Sequence, residues 1–210
     1  MNVLIFGATG RTGLYLTQIA LLNGHTVTAL VRNPEAFTLT HANLKAVQGD
    51  VLDLRTVSNV IKGQDAVLSA IGEGIDNATQ VRSRGMRNVI AGMLHNEVKR
   101  VIAIAGTGIL MADAQTMIKD LPTFPEMYRG VSDEHFLVFD TLRNSGLNWT
   151  LFCPPMIPDG APDGNYITSV DVPPENMQTI TTGNLAYAMI QALEKSQFVG
   201  KRVGITGVMA

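Results

Sequence analysis

Met1-Asn2-Val3-Leu4-Ile5-Phe6-Gly7-Ala8-Thr9-Gly10-Arg11-Thr12-Gly13 runs from an apolar stretch into three glycines spaced three apart. Val3 to Phe6 shows no polar alternation, the pattern of a strand buried on both faces. Leu14, Ile19, Leu21 and Leu22 then predict a helix that packs back on that strand. Strand, glycine turn and helix together make a cradle for a pyrophosphate. Gly7 permits the sharp turn, Gly10 lets the backbone approach the phosphates, and Gly13 lets helix and strand pack closely. Unpaired N–H groups at the helix N-terminus face the anion, and the helix dipole favours it. A glycine triplet alone is a weak signal, but one set between a buried strand and an amphipathic helix is a strong one.

The composition bounds what surrounds this turn. At 210 residues the chain is long enough to bury a full core as one domain. Its 46% hydrophobic and 16% charged residues argue for a well-buried sheet and against disorder. A net charge of −2 gives no general attraction to nucleic acid or an anionic membrane, so phosphate binding has to be local. Cys153 is the single cysteine and forms no internal disulfide, which suits a cytoplasmic location. No leader precedes the first strand and no apolar run reaches membrane-spanning length, so a soluble, unprocessed chain is expected.

The second strand is predicted at Thr26 to Val31 and ends at Arg32-Asn33-Pro34. In a dinucleotide-binding fold this strand end meets the adenosine ribose, where an acidic residue serves NAD. Arg32 is unsuited to accepting ribose hydroxyls and suited to gripping a 2′-phosphate. With Arg11 within reach of the same phosphate, NADPH preference is the expectation; the plainer alternative is two solvated surface arginines. A third strand over Leu44 to Val51 leads to Asp50, which either accepts from the adenine amino group beside Val51 or starts the next helix. Asp53 is the better-placed cap. Strand four is predicted at Ala66 to Ile71, followed by Gly72-Glu73-Gly74, where a second backbone approaches the cofactor.

Residues 77–97 carry the longest helical pattern, with Arg82, Arg84 and Arg87 read as its solvated face. Strand five, Arg100 to Ala105, runs into Gly106-Thr107-Gly108. From 109 to 131 the periodicity fails, apart from a short helix expected near 112–120. This stretch, rich in methionine and aromatic residues, is a candidate cover over a flat substrate, or an ordinary packed excursion. A helix over Asp133 to Asn144, a sixth strand over Trp149 to Cys153 and a wall of Pro154-Pro155-Met156-Ile157 follow. Residues 158–180 read as loop with short extended pieces. Thr182 caps a last helix, and Val203 to Thr206 forms a seventh strand.

Gly7–Gly13 (GATGRTG), Leu30–Asn33 (LVRN), Gln48–Asp53 (QGDVLD) and Ser145–Pro155 (SGLNWTLFCPP) resemble the atypical short-chain dehydrogenase/reductase family. The likeness is strongest to its NAD(P)H-binding branch, which includes biliverdin-IXβ reductase/flavin reductase and NmrA-like proteins, and it covers nearly the whole length. It implies an α/β fold, a Rossmann-type doubly wound parallel β-sheet in a single domain, with NADP(H) bound. By that resemblance Gly7, Thr9, Gly10, Arg11, Thr12 and Gly13 hold the pyrophosphate and Arg32 the 2′-phosphate. Asp50 and Val51 sit at adenine, Ile71 and Gly72 along the ribose, and Pro155, Met156 and Ile157 near the nicotinamide.

The chain departs from the wider family in its acid–base residues. A Tyr-x-x-x-Lys pair, in which lysine lowers the tyrosine pKa, is absent: Tyr15, Tyr128, Tyr166 and Tyr187 all lack a lysine four residues on. Ordinary alcohol–ketone chemistry is therefore not expected. A flavin, quinone or linear tetrapyrrole asks for less, because it delocalises the incoming charge and takes its proton from water. Thr107 and His135 are the remaining polar candidates. Thr107 either hydrogen-bonds an acceptor oxygen or caps a turn. His135 either donates a proton near neutral pH or is a solvated histidine at a helix start. The four histidines and one cysteine show no metal-ligand spacing.

Two functions fit this pattern: an NADPH-dependent reductase of flavins or similar planar acceptors, and an NADP(H)-binding sensor without turnover that acts through a protein partner. Epimerase chemistry on a nucleotide sugar is disfavoured by the missing tyrosine and the absence of a larger C-terminal substrate domain.

Overall fold

β1 (Asn2–Phe6) lies inside a sheet, paired in parallel with β2 (Thr26–Val31) on one side and β4 (Ala66–Ser69) on the other. The structure, a computed structural model, describes residues 1–74 and 79–208. β3 (Leu44–Gln48) continues the sheet beyond β2. Beyond β4 come β5 (Arg100–Ile104) and β6 (Asn148–Cys153), then two C-terminal strands, β7 (Tyr166–Val170) and β8 (Lys201–Gly207). The order is β3-β2-β1-β4-β5-β6-β8-β7, parallel throughout except for β7. The winding reverses between β1 and β4, and the crevice beyond the strand ends at such a point is where ligands bind in doubly wound sheets.

Both faces of β1 are buried, as its unbroken apolar run predicts. Val3 and Ile5 join a core with α1 (Arg11–Leu22) and α5 (Thr182–Glu194). Leu4 and Phe6 join a second core with α2 (Leu54–Ile61), α3 (Val81–His95) and α4 (Arg129–Arg143). The two-residue period of a strand sends neighbouring side chains to opposite faces, so one short apolar run anchors helices on both sides. Among the described residues no helix is long and apolar enough to cross a membrane.

Several boundaries differ from the sequence reading. Among the described residues the sheet has eight strands: one of the short extended pieces expected within 158–180 pairs as β7, half-buried or exposed at the sheet edge. The 112–120 helix is absent. In its place Met111 bridges Met117 and a single 3₁₀ turn spans Ile118–Asp120, flanked by others at Thr107–Ile109 and Glu126–Tyr128. Helix α4 begins at Arg129, four residues before Asp133. Thr181, not Thr182, caps α5 by accepting from the Asn184 N–H at 3.1 Å. Residues 77–78 of the long helical pattern lie outside the described residues; the helix itself is Val81–His95.

Candidate functional site

The glycine turn is built as its spacing predicts. Gly7 has φ +76°, and a Cβ there would lie 2.4 Å from the Ala70 carbonyl oxygen. At Gly13 a Cβ would lie 1.9 Å from the Gly7 carbonyl oxygen, so any larger residue forces helix and turn apart. Gly10 donates its N–H to the Gly7 carbonyl at 3.0 Å and is the N-cap of α1, without a side-chain cap. The first backbone bond into the helix is from Leu14 to Gly10, so the N–H groups of Arg11, Thr12 and Gly13 have no acceptor among the described residues. An uncapped helix start of this kind binds an anion.

Beside the turn lies a cleft of about 480 Å³ over the C-terminal ends of the first four strands. It brings together Gly7, Thr9, Gly10, Arg32, Asp50, Val51, Ile71 and Gly72, all expected from the sequence. Arg32 is exposed at its rim. Asp50 does not start α2: its Oδ1 accepts from the Leu52 N–H at 2.9 Å, while Asp53 caps the helix by accepting from the Arg55 N–H at 3.0 Å. Hydrogen bonds from Thr56 hold the Asp53 carboxyl below its ordinary range.

The turn at Val51 is pinned by two features missed in the sequence. Asn88 donates from Nδ2 to the Val51 carbonyl at 2.9 Å, and Gly85 leaves room for the Val51 side chain. Both sit on the inner face of α3, at the helical spacing that could have marked them.

Other expected site residues stand outside the cleft. Arg11 does not join Arg32. Its Nη1 donates to the Ile157 carbonyl at 3.2 Å and to Asp159 Oδ1 at 3.3 Å, linking the glycine turn to the loop after β6. Thr107 donates its hydroxyl to the Pro154 carbonyl at 2.8 Å and so ties the turn after β5 to the prolines after β6. Pro155, Met156 and Ile157 lie in that loop, outside the lining of the cleft.

His135 departs furthest from expectation. It lies inside α4, not at its start, with the ring against Gly106, where a Cβ would be 2.7 Å from Nδ1. Nδ1 is buried without a hydrogen-bond partner among the described residues. Burial, and then the charge of Arg82, push its pKa down to about 3, so the ring is neutral at neutral pH. It is a half-buried, neutral ring, not a cationic acid.

Arg82 corrects the reading of the α3 arginines: Arg84 and Arg87 are exposed, but Arg82 is buried. Its Nη2 donates to the Glu73 carbonyl at 2.5 Å, and its Nη1 lies 4.0 Å from Glu73 Oε1. Glu73 lines the cleft, and its Oε2 accepts from the Thr79 hydroxyl at 2.6 Å and the Thr79 N–H at 3.3 Å. Burial opposes the Glu73 anion, but these bonds and Arg82 outweigh it and hold the carboxyl below its ordinary value. Behind this pair, the buried Glu134 of α4 accepts from the Ser83 N–H and hydroxyl, both at 3.1 Å. A carboxylate thereby completes the first turn of α3, where the helix dipole favours it.

The excursion after β5 is docked at both ends. Ile109 and Leu110 are fully buried, and Arg202 donates to the Ile109 carbonyl at 2.6 Å. Lys119 binds Asp120 at 2.7 Å and Asp133 at 3.4 Å, with its ammonium over the Phe136 ring.

A family model described as NAD(P)H-binding matches residues 7–196. The YwnB protein of Bacillus subtilis (strain 168) is 27% identical over 212 residues, covering 96% of either chain. Among solved structures, one from Bacteroides thetaiotaomicron that carries the name epimerase superposes with a TM-score of 0.86 at 26% identity, covering 100% of this chain and 98% of its own. A structure from Streptococcus pneumoniae TIGR4 that carries the name NADH-flavin reductase gives a TM-score of 0.84 at 24% identity, covering 99% of this chain and 100% of its own. At that identity the second likeness is one of fold. The family match begins at Gly7 and runs past the end of α5, over the same glycine turn, uncapped helix and cleft built above: the chain belongs to the NAD(P)H-binding family.

Proposed function

We propose that this protein is an NADPH-dependent oxidoreductase that reduces a planar conjugated acceptor: a flavin, a quinone or a linear tetrapyrrole. The nicotinamide cofactor supplies a hydride when bound. The chain's own residues hold it: the Gly7–Gly13 turn and the N–H groups of α1 at the pyrophosphate, Arg32 at a 2′-phosphate, Asp50 and Val51 at adenine, and Ile71 and Gly72 along the ribose. The loop of Pro155, Met156 and Ile157 forms a wall at the nicotinamide end, and the 109–131 excursion covers the acceptor.

One observation carries the choice of acceptor. The polar candidates beyond β5 offer no charged acid: His135 is neutral, and the Thr107 hydroxyl donates its hydrogen bond to the Pro154 carbonyl. Hydride transfer to a simple ketone needs a proton donor at the oxygen in the transition state. A conjugated ring system spreads the charge and is protonated from water afterwards. Thr107 then acts by fixing the two turns to each other, and His135 by shaping the end of the site with an uncharged ring.

A second reading, an NADP(H) sensor that acts through a protein partner, is favoured by the exposed apolar side chains of Met127, Tyr128 and Met156. Following NADPH absorbance with purified protein and a panel of FMN, riboflavin, quinones and biliverdin separates the two. Turnover with one of these acceptors supports the reductase; tight NADPH binding without oxidation by any of them leaves the sensor.

A further inference from the structure

Arg11 is the first residue of α1, next to three N–H groups that have no acceptor among the described residues. An anion bound at this helix start meets those N–H groups and the guanidinium together. In this structure the guanidinium is instead held by Asp159 and the Ile157 carbonyl, 148 and 146 positions further along the chain. Asp159 is thus a carboxylate bound to the side chain of the first residue of α1.

The backbone around Asp159 is fixed independently of Arg11. The Pro158 carbonyl accepts from the Thr182 N–H at 3.0 Å and the Gly160 carbonyl from the Gly183 N–H at 2.9 Å. Both donors belong to the start of α5, which packs along α1. The Met156 carbonyl accepts in the same way from the Ile180 N–H at 3.1 Å. The loop therefore keeps its carboxylate near Arg11 whether or not a ligand is present. The ion pair itself is weak, because its two side chains are 64% and 70% exposed. A dinucleotide pyrophosphate carries two charges against one and also reaches the helix N–H groups, so it takes the guanidinium from the carboxylate.

We propose that Asp159 is a positioning residue that acts through Arg11: it competes with the cofactor pyrophosphate for that guanidinium and so holds dinucleotide affinity below what the turn alone would give. The inference rests on the dinucleotide reading of the cleft. Its effect falls on the pyrophosphate, which NADPH and NADH share, and so differs from that of Arg32. A weaker grip speeds release of the spent cofactor, which matters wherever release limits turnover.

Fluorescence titration with NADPH and with NADH, on the wild type, Asp159→Asn, Asp159→Ala, Arg11→Gln and the Arg11→Gln/Asp159→Asn double variant, tests this. Both Asp159 variants are expected to bind both cofactors about threefold to fivefold more tightly, the range an exposed ion pair allows. Arg11→Gln binds both more weakly, and in its background Asp159→Asn loses most of its gain. A carboxylate that merely braced the loop would lower affinity when removed. Unchanged or weaker binding by both Asp159 variants therefore overturns the inference and leaves the cofactor reading standing. Failure of the wild type to bind either cofactor overturns that reading, and this inference with it.

Discussion

The imidazole of His135 fills the space that a side chain at position 106 would need: a Cβ on Gly106 would lie 2.7 Å from Nδ1 and 3.0 Å from Cε1. The contact joins the turn after β5 to the middle of α4, so the glycine decides how closely that helix approaches the strand end. An added methyl group in packed surroundings costs about 1–3 kcal/mol. Gly106→Ala should lower stability in urea denaturation by that order, and by much less when His135 is also alanine. Equal losses in both backgrounds would show that the ring is not what the methyl group meets.

His135 also sets a pH dependence of stability. Its folded pKa is about 3 against an ordinary 6.5, because burial and then Arg82 oppose the cation. Between those values the unfolded chain binds a proton that the folded chain does not, so stability falls with falling pH. The contribution is complete above the ordinary value and is lost as the pH drops toward about 3. His135→Gln removes it. Between about pH 7 and about pH 5 the urea midpoint of the variant should fall less than that of the wild type; parallel declines would place the proton uptake on other groups.

Two glycines of one turn should separate binding from folding. A Cβ at Gly13 would lie 1.9 Å from the Gly7 carbonyl oxygen, backbone against backbone, whereas at Gly10 it meets only that same oxygen at 3.3 Å. Gly13→Ala is expected to cost about 1–3 kcal/mol of stability and to weaken dinucleotide binding. Gly10→Ala should melt close to the wild type yet bind NADPH less well. Melting curves with parallel titrations decide the matter, and a Gly10→Ala protein with undiminished NADPH affinity would remove Gly10 from the pyrophosphate site.

The cradle was legible in the sequence because it is local. Gly7, Gly10 and Gly13 act on one another within seven residues, and with the apolar run before them and the helical pattern after them they mark the strand, the turn and the helix. Arg32 and Asp50 could be placed because they follow strands whose ends are marked by apolar runs. Less local features were hidden. Arg82 reads as one of three surface arginines until Glu73, on a different loop, is seen to accept from it. The buried position of the His135 Nδ1 depends on Gly106 having no side chain, and the direction of Arg11 on Asp159, 148 residues away. β7 read only as one of several short extended pieces because an edge strand half open to solvent shows neither a continuous apolar run nor a clean alternation.

The proposed preference for NADPH rests on Arg32 alone, since Arg11 points to the loop after β6. Losing a charge-assisted grip on a 2′-phosphate costs about 1.5–3 kcal/mol, roughly a factor of ten to a hundred in affinity. Arg32→Asp should weaken NADPH binding by that factor and change NADH binding little, as read by fluorescence titration of both. Equal losses for the two cofactors would take the 2′-phosphate away from Arg32.

Under the proposed function, hydride passes from NADPH to a conjugated acceptor without a charged acid from the protein. Anaerobic single-turnover mixing of the NADPH complex with FMN, using cofactor carrying deuterium at the transferable nicotinamide position, tests it most directly. NADPH absorbance and flavin colour should disappear together, deuterium should slow both, and the rate should show no inflection near the ordinary histidine pKa. Bound NADPH that stays unoxidised with FMN, and equally with riboflavin, quinones and biliverdin, would contradict it.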